Sequence, residues 1–152
     1  MDLARLLALV HVGSALLYVS GFVSTGTLTE LARRTADATE RRRLLELSGR
    51  FDFWYQIPFG TLVGLSGLAV TAANSIAWTT FWIAASIVVY AAIAFSGAFL
   101  WRRHSALVRD AIAAGEDARV VGLLMAPSAV LHSWIDRVLM VAIVVLMVVR
   151  PT

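Results

Sequence analysis

The sequence predicts an all-α membrane protein, a bundle of four transmembrane helices that forms a single domain over residues 1–152. Of its 152 residues, 59% are hydrophobic and only 15% are charged. The mean hydropathy of +0.78 is too high for a soluble domain of this length. Four long apolar runs, each near the roughly 20 residues that a helix needs to cross a bilayer, are joined by short polar segments. Together these observations predict a chain that folds in lipid.

The four predicted spans are residues 6–28, 54–73, 78–101 and 130–149. Each run is continuously apolar over many residues instead of alternating between apolar and polar positions, which favours helices. Between the second and third spans lies only the short uncharged segment 74–77, so these two helices are expected to form a hairpin.

The arginines predict how the helices are oriented. All thirteen basic residues are arginine, and they concentrate in the first and third connections. Under the positive-inside rule these two connections face the cytoplasm of a bacterial cell, and both termini lie outside the inner membrane. The first connection contains the predicted cytoplasmic basic face, which consists of Arg33, Arg34, Arg41, Arg42 and Arg43.

The two Arg-rich connections also have predicted structures. Residues 30–51 mix arginines and glutamates with leucines, at a spacing that suits an amphipathic helix near the lipid headgroups. This segment is either a solvated linker or a docking surface for a soluble partner. Residues 104–119 are expected to form a short polar helix or turn.

The overall charge and the absence of cysteine exclude several function classes. A net charge of +3 gives no reason to expect a nucleic-acid partner. Without cysteine the chain contains no disulfide, iron–sulfur cluster or thiolate metal site.

Tryptophans and glycines predict anchoring and packing positions. Indole rings concentrate at membrane interfaces, which assigns an anchoring role to Trp54, Trp101 and Trp134 at the cytoplasmic boundary and to Trp78 and Trp82 at the outer one. Small residues at helical spacing let two membrane helices approach closely. The predicted packing glycines are Gly60, Gly64 and Gly67 in the second span and Gly97 in the third.

Ionisable side chains inside the spans point to sites, because a charge at the bilayer centre costs at least ~2.5 kcal/mol. His11 in the first span and His132 in the fourth are the candidate metal ligands. Asp136 follows His132 by one helical turn, so the two can hydrogen-bond along one face and tune the imidazole as a ligand or proton relay. The candidate cofactor-binding residues are His11, Tyr18, His132, Asp136 and Met140.

One haem cannot join the two histidines, since helical rise places them ~15 to 20 Å apart along the membrane normal. A single axial histidine, with Met140 as a weak sixth ligand, stays open. A site for Cu(I) built from histidine and methionine stays open as well.

Several short motifs resemble a known family. They are Leu9–Gly13 in the first span, Arg50–Asp52 before the second, Ile57–Pro58 and Leu65–Leu68 within it, and Trp78–Trp82 at the start of the third. With these motifs the chain resembles the bacterial integral-membrane family DUF2269, a neighbour of the copper-resistance D and protoporphyrinogen-oxidase-like four-helix membrane proteins. The resemblance covers most of the chain.

The resemblance implies a four-helix membrane bundle with an early histidine, here His11, which some relatives in the wider group use to hold b-type haem. It implies no reaction. The Trp-Val-Gly-Gly that usually follows this histidine reads Leu17–Gly21 here, and the spans contain no counterpart of the lysine found in the oxidase-like relatives.

From the residues, we expect an integral membrane protein without a catalytic site, an accessory or structural subunit that packs against other membrane proteins or against copies of itself. The first alternative is a membrane redox protein that binds haem or quinone through His11 or through His132 and Asp136. The second alternative is a small copper transporter or copper-handling protein.

Overall fold

The computed structural model describes residues 2–150, and within them the chain is helical with no strand. Four helical stretches are long and apolar enough to cross a membrane: Leu3–Arg34, Ala38–Ala73, Phe81–Ala113 and Pro127–Val149. The predicted all-α class with four membrane-spanning helices is therefore confirmed. By its internal contacts the chain divides into two compact units, one ending at Thr80 and the other beginning at Phe81.

The first unit contains three α-helices, α1 (Leu3–Arg34), α2 (Ala38–Phe51) and α3 (Ile57–Ala73). A π-helical turn, Asp52–Gln56, joins α2 to α3 without a break, and we call it the first π turn. Helix α1 packs along α3 and α2.

Aspartate side chains cap the N-termini of two of these helices. The carboxylate of Asp2 accepts a hydrogen bond from the Arg5 amide (2.8 Å) at the start of α1. Asp37 does the same for the Thr39 amide (2.7 Å) at the start of α2. Both caps satisfy amides that have no partner inside the helix.

The second unit contains α4 (Phe81–Phe95), α5 (Arg102–Ala113), α6 (Asp117–Leu124) and α7 (Pro127–Val149). The second π turn, Ser96–Trp101, joins α4 to α5. Helix α4 packs against α7, and α5 packs against α6. Gly115, with φ of +72°, allows the tight turn between α5 and α6 because glycine adopts positive φ without a Cβ clash.

Helix ends differ from the predicted spans where turn chemistry intervenes. The third membrane helix begins at Phe81 and not at residue 78, because Ser75 adopts a positive φ of 53° and the chain turns before it becomes helical again. The fourth begins earlier than predicted, at Pro127. Proline is tolerated in the first turn of a helix, because the amide hydrogen that it lacks would have no partner there.

The Arg-rich connections are more helical than predicted. For the first connection, one amphipathic helix is predicted over residues 30–51. In the structure α1 continues through Arg34 and α2 begins at Ala38. For the second connection, a short polar helix or turn is predicted, and the structure has two helices there, α5 and α6. In each connection a polar helix is continuous with a membrane helix: α2 continues into α3, and α4 continues into α5.

The distribution of side chains is that of a protein surrounded by lipid. Large apolar side chains face outward, as in Leu16 (67% exposed) and Val148 (76%). Many of the buried side chains are small and polar, because lipid already solvates leucine and only close contacts or hydrogen bonds hold membrane helices together. Examples are Ser14, Ser66, Thr71, Ser86, Ser96 and Asp136.

Candidate functional site

In the first unit, aromatic rings of α1 pack against glycines of α3. The imidazole of His11 lies against Gly67, where an added Cβ would be 3.0 Å from the ring Cε1. Two turns further along α1, the ring of Tyr18 lies against Gly60, where an added Cβ would be 3.1 Å from Cε2. Two residues predicted as ligands and two predicted as packing positions thus meet pairwise, while Gly64 is half-buried between them.

His11 is also held by hydrogen bonds to α3. Its Nδ1 lies 3.1 Å from the Val63 carbonyl oxygen and 3.2 Å from Oγ of Ser66. Ser66 donates its own hydrogen to the Leu62 carbonyl (2.6 Å), which leaves its oxygen to accept. A carbonyl only accepts, so in the neutral ring Nδ1 carries the proton and Nε2 keeps a lone pair. Metal-binding histidines are oriented in the same way, with one ring N–H on a carbonyl.

The contact between α1 and the first π turn is closer still. An added Cβ on Gly21 would lie 2.6 Å from Cβ of Tyr55, so the glycine lets the π turn approach α1. Tyr55 stacks on Phe51 with ring centroids 5.4 Å apart and contacts Phe59 at 6.1 Å. Sequence reasoning missed this ladder, although aromatic residues one turn apart at positions 51, 55 and 59 are its signal.

An open groove of about 630 Å³ runs beside this ladder, and we call it the aromatic groove. Leu17 of α1 and Leu47 of α2 contribute aliphatic surface, and Arg50 contributes the charge. The remaining lining consists of the rings of Phe51, Trp54, Tyr55 and Phe59.

Asp136 is the buried carboxylate of the second unit. It lies on α7, is 7% exposed, and accepts hydrogen bonds from two residues of the second π turn. The donors are Oγ of Ser96, at 3.2 Å, and the indole Nε1 of Trp101. Both donors bond to the same carboxylate oxygen, Oδ2, and such hydrogen bonds offset the cost of burying a polar group. Trp101, predicted as an anchor, therefore also fastens the π turn to α7.

His132 and Asp136 use different partners, although their spacing predicts a hydrogen bond between them. Nδ1 of His132 bonds to the Ser128 carbonyl one turn earlier on α7, at 2.7 Å. Met140, one turn beyond Asp136, is buried at 5% exposure. The three residues share a face of α7, but the carboxylate is directed to the second π turn.

Among residues 2–150, no group of three or more histidine or carboxylate side chains is arranged to hold a metal ion. His11 and His132 also belong to different units. A metal or haem hypothesis therefore depends on each histidine singly.

The predicted basic face is partly buried and largely paired. Arg41 is 5% exposed, and its guanidinium donates to the Thr35 carbonyl (2.6 Å), so it ties α2 to the end of α1. The Arg33 side chain is only 7% exposed. The exposed arginines have carboxylate partners: Arg34 with Glu30, Arg42 with Glu46, and Arg43 with Glu40.

The other predicted anchors and Gly97 lie as follows. Trp54, Trp78 and Trp134 are 67%, 47% and 58% exposed, as interfacial anchors would be. The guanidinium of Arg150 lies 5.4 Å from the ring of Trp82. Gly97 is exposed, and within the described residues nothing lies within 4 Å of the position that its Cβ would take.

A known protein family matches this chain. The family described as "Predicted integral membrane protein (DUF2269)" matches residues 5–151, nearly the whole chain. The chain belongs to this family, as its motifs indicate. No curated protein and no solved structure matches it.

Proposed function

We propose that this integral membrane protein of the DUF2269 family is an accessory or structural subunit that packs against other membrane proteins. The observation that carries the proposal is that the polar side chains inside the spans contact neighbouring helices of the same chain. His11, Tyr18 and Asp136 each lie between two helices and contact the facing helix. Side chains engaged in this way hold the protein's own helices together.

The outward face of α7 supplies a surface for a partner. Its exposed apolar side chains recur at heptad spacing, which suits packing against another helix. They are Leu131, Trp134, Val138, Val141, Val145 and Val148, each between 49% and 76% exposed.

Photo-crosslinking in native membranes tests this proposal. A photoreactive residue replacing Val141 should give an adduct of defined size, because a partner helix lies against that face. The matched control replaces Leu16 of α1, which is also strongly exposed. Gentle purification in native lipid that yields a monomer, with no adduct from Val141, would exclude the subunit role.

The orientation has its own test. We propose a bacterial cytoplasmic membrane location with the Arg-rich connections inside. The chain has no cysteine, so single-cysteine variants need no background removal. Ser75→Cys, in the uncharged turn, should react with an impermeant maleimide in intact cells, and Ala36→Cys only after the cells are opened. The reverse pattern would invert the topology.

A second function is favoured by the hydrogen bonds of His11. Because Nδ1 donates to the Val63 carbonyl, Nε2 keeps a lone pair that would ligate the iron of a bound haem. Bound haem would supply one-electron chemistry, while this chain would orient the imidazole.

The test for haem binding is optical. With haem supplied during expression, the second function predicts a Soret band that His11→Ala abolishes and His132→Ala leaves unchanged. A protein without that band, or with the same band after His11→Ala, would remove His11 as the ligand.

A further inference from the structure

The aromatic groove of the first unit combines an apolar wall with a cation at its edge. We propose that it binds one anionic phospholipid, with the lipid phosphate on the guanidinium of Arg50 and an acyl chain along the rings. This inference rests on the membrane location and not on the proposed subunit role.

The charge argument begins with the neighbouring arginines. Arg42 contacts Glu46 at 3.0 Å, and Arg34 contacts Glu30 at 2.8 Å, so carboxylates of this chain already neutralise them. Within residues 2–150, no carboxylate oxygen lies within the 4.0 Å ion-pair distance of Arg50, and Arg50 is exposed. The groove therefore presents a cation that no carboxylate of the described residues neutralises.

The wall of the groove suits an acyl chain. Phe51, Tyr55 and Phe59 follow one another at one-turn intervals from α2 into the membrane helix α3. Leu17 of α1 faces them across the groove. The rings therefore form an apolar track that begins beside Arg50 and continues along a spanning helix.

The position of Arg50 along the helix favours a lipid headgroup. It lies one turn before Trp54, which is 67% exposed in the manner of an interfacial indole. A guanidinium at headgroup depth meets phosphates, and its planar donors match a phosphate bidentately. A quinone carries no charge to satisfy Arg50, so an anionic lipid is the occupant that matches both parts of the groove.

Native mass spectrometry of the full-length protein in detergent tests the proposal with phosphatidylglycerol and phosphatidylcholine of the same acyl chains. The wild type should retain one phosphatidylglycerol in preference to phosphatidylcholine. Arg50→Gln should lower the apparent affinity for phosphatidylglycerol roughly fivefold, as expected for the loss of one cation near a lipid headgroup. Arg42→Gln is the matched control and should retain the lipid, because Arg42 is already paired with Glu46.

Two further arms separate the remaining explanations. Arg50→Lys keeps the charge but loses the bidentate donors, so its affinity for phosphatidylglycerol should lie between those of the wild type and Arg50→Gln, which distinguishes loss of the site from loss of the fold. Glycerol 3-phosphate offers the phosphate without acyl chains and should not compete at equal concentration. Equal retention of both lipids, unchanged binding in Arg50→Gln, or full competition by glycerol 3-phosphate would each overturn the proposal.

Discussion

The two units hold their membrane helices together by different means. In the first, glycines allow close approach, as Gly67 of α3 does for the ring of His11 and Gly21 of α1 does for Cβ of Tyr55. In the second, the carboxylate of Asp136 accepts hydrogen bonds from the second π turn. The first unit combines close contact with the hydrogen bonds of His11 to α3, whereas the second relies on a buried carboxylate.

The difference shows the two ways in which helices associate when burial of leucine gives no gain. Lipid tails solvate apolar side chains as well as another helix does, so association needs tighter contact or hydrogen bonds between helices. Both units also contain a π turn, at Asp52–Gln56 and Ser96–Trp101, and in each it supplies the residue that contacts the other helix. An extra residue in a helix redirects side chains, which is a common use of π turns.

The largest effect should come from the closest glycine contact. Gly21→Ala places a methyl group 2.6 Å from Cβ of Tyr55, an atom that cannot rotate away from its backbone. We expect a loss of about 2 kcal/mol in the free energy of unfolding, as in overpacked cores. Unfolding in mixed micelles containing sodium dodecyl sulfate, followed by circular dichroism, measures it.

Gly26→Ala is the matched control for this prediction. Gly26 is on the same helix, with nothing within 4 Å of its added Cβ. There the change should leave stability unaltered or raise it by up to about 1 kcal/mol, since alanine favours the helix. Equal effects at Gly21 and Gly26 would mean that the first unit does not depend on close approach.

An intermediate effect should come from the hydrogen bond of the second unit. In a double-mutant cycle, Trp101→Phe and Asp136→Leu should show a coupling energy of about 1 kcal/mol, within the range measured for such bonds between membrane helices. The same unfolding experiment measures each variant. Trp134→Phe paired with Asp136→Leu is the control and should show no coupling, because Trp134 is exposed on α7. Coupling equal to that of the control would remove the distinction between the units.

The smallest effect should come from a surface ion pair. Arg42 and Glu46 are 60% and 55% exposed, so water and salt screen their attraction. Arg42→Gln should change the free energy of unfolding by less than about 0.5 kcal/mol. A larger loss would show that the Arg-rich helices, and not the glycine contacts, stabilise the first unit.

The sequence placed polar residues on shared helix faces but did not predict which residues they contact. Helical spacing placed His11 with Tyr18, and His132 with Asp136, on shared faces, and the structure keeps those faces. It did not predict that Gly67 receives His11 or that Trp101 donates to Asp136, since each pair joins residues far apart in the chain. Hydropathy does not indicate where a π turn lies. The position of Trp101 relative to α7 could therefore not be predicted from the periodicity of the sequence.

What the sequence determined by itself is the helical class and the four membrane spans, because apolar run length and helical rise are local properties that any bilayer selects in the same way. What only the tertiary structure decided is which polar side chain meets which backbone. It left Gly97 exposed, buried Arg41 against Thr35, and left Arg50 at the edge of an aromatic groove. Those outcomes depend on the register between helices, which small residues and π turns set through contacts across the chain.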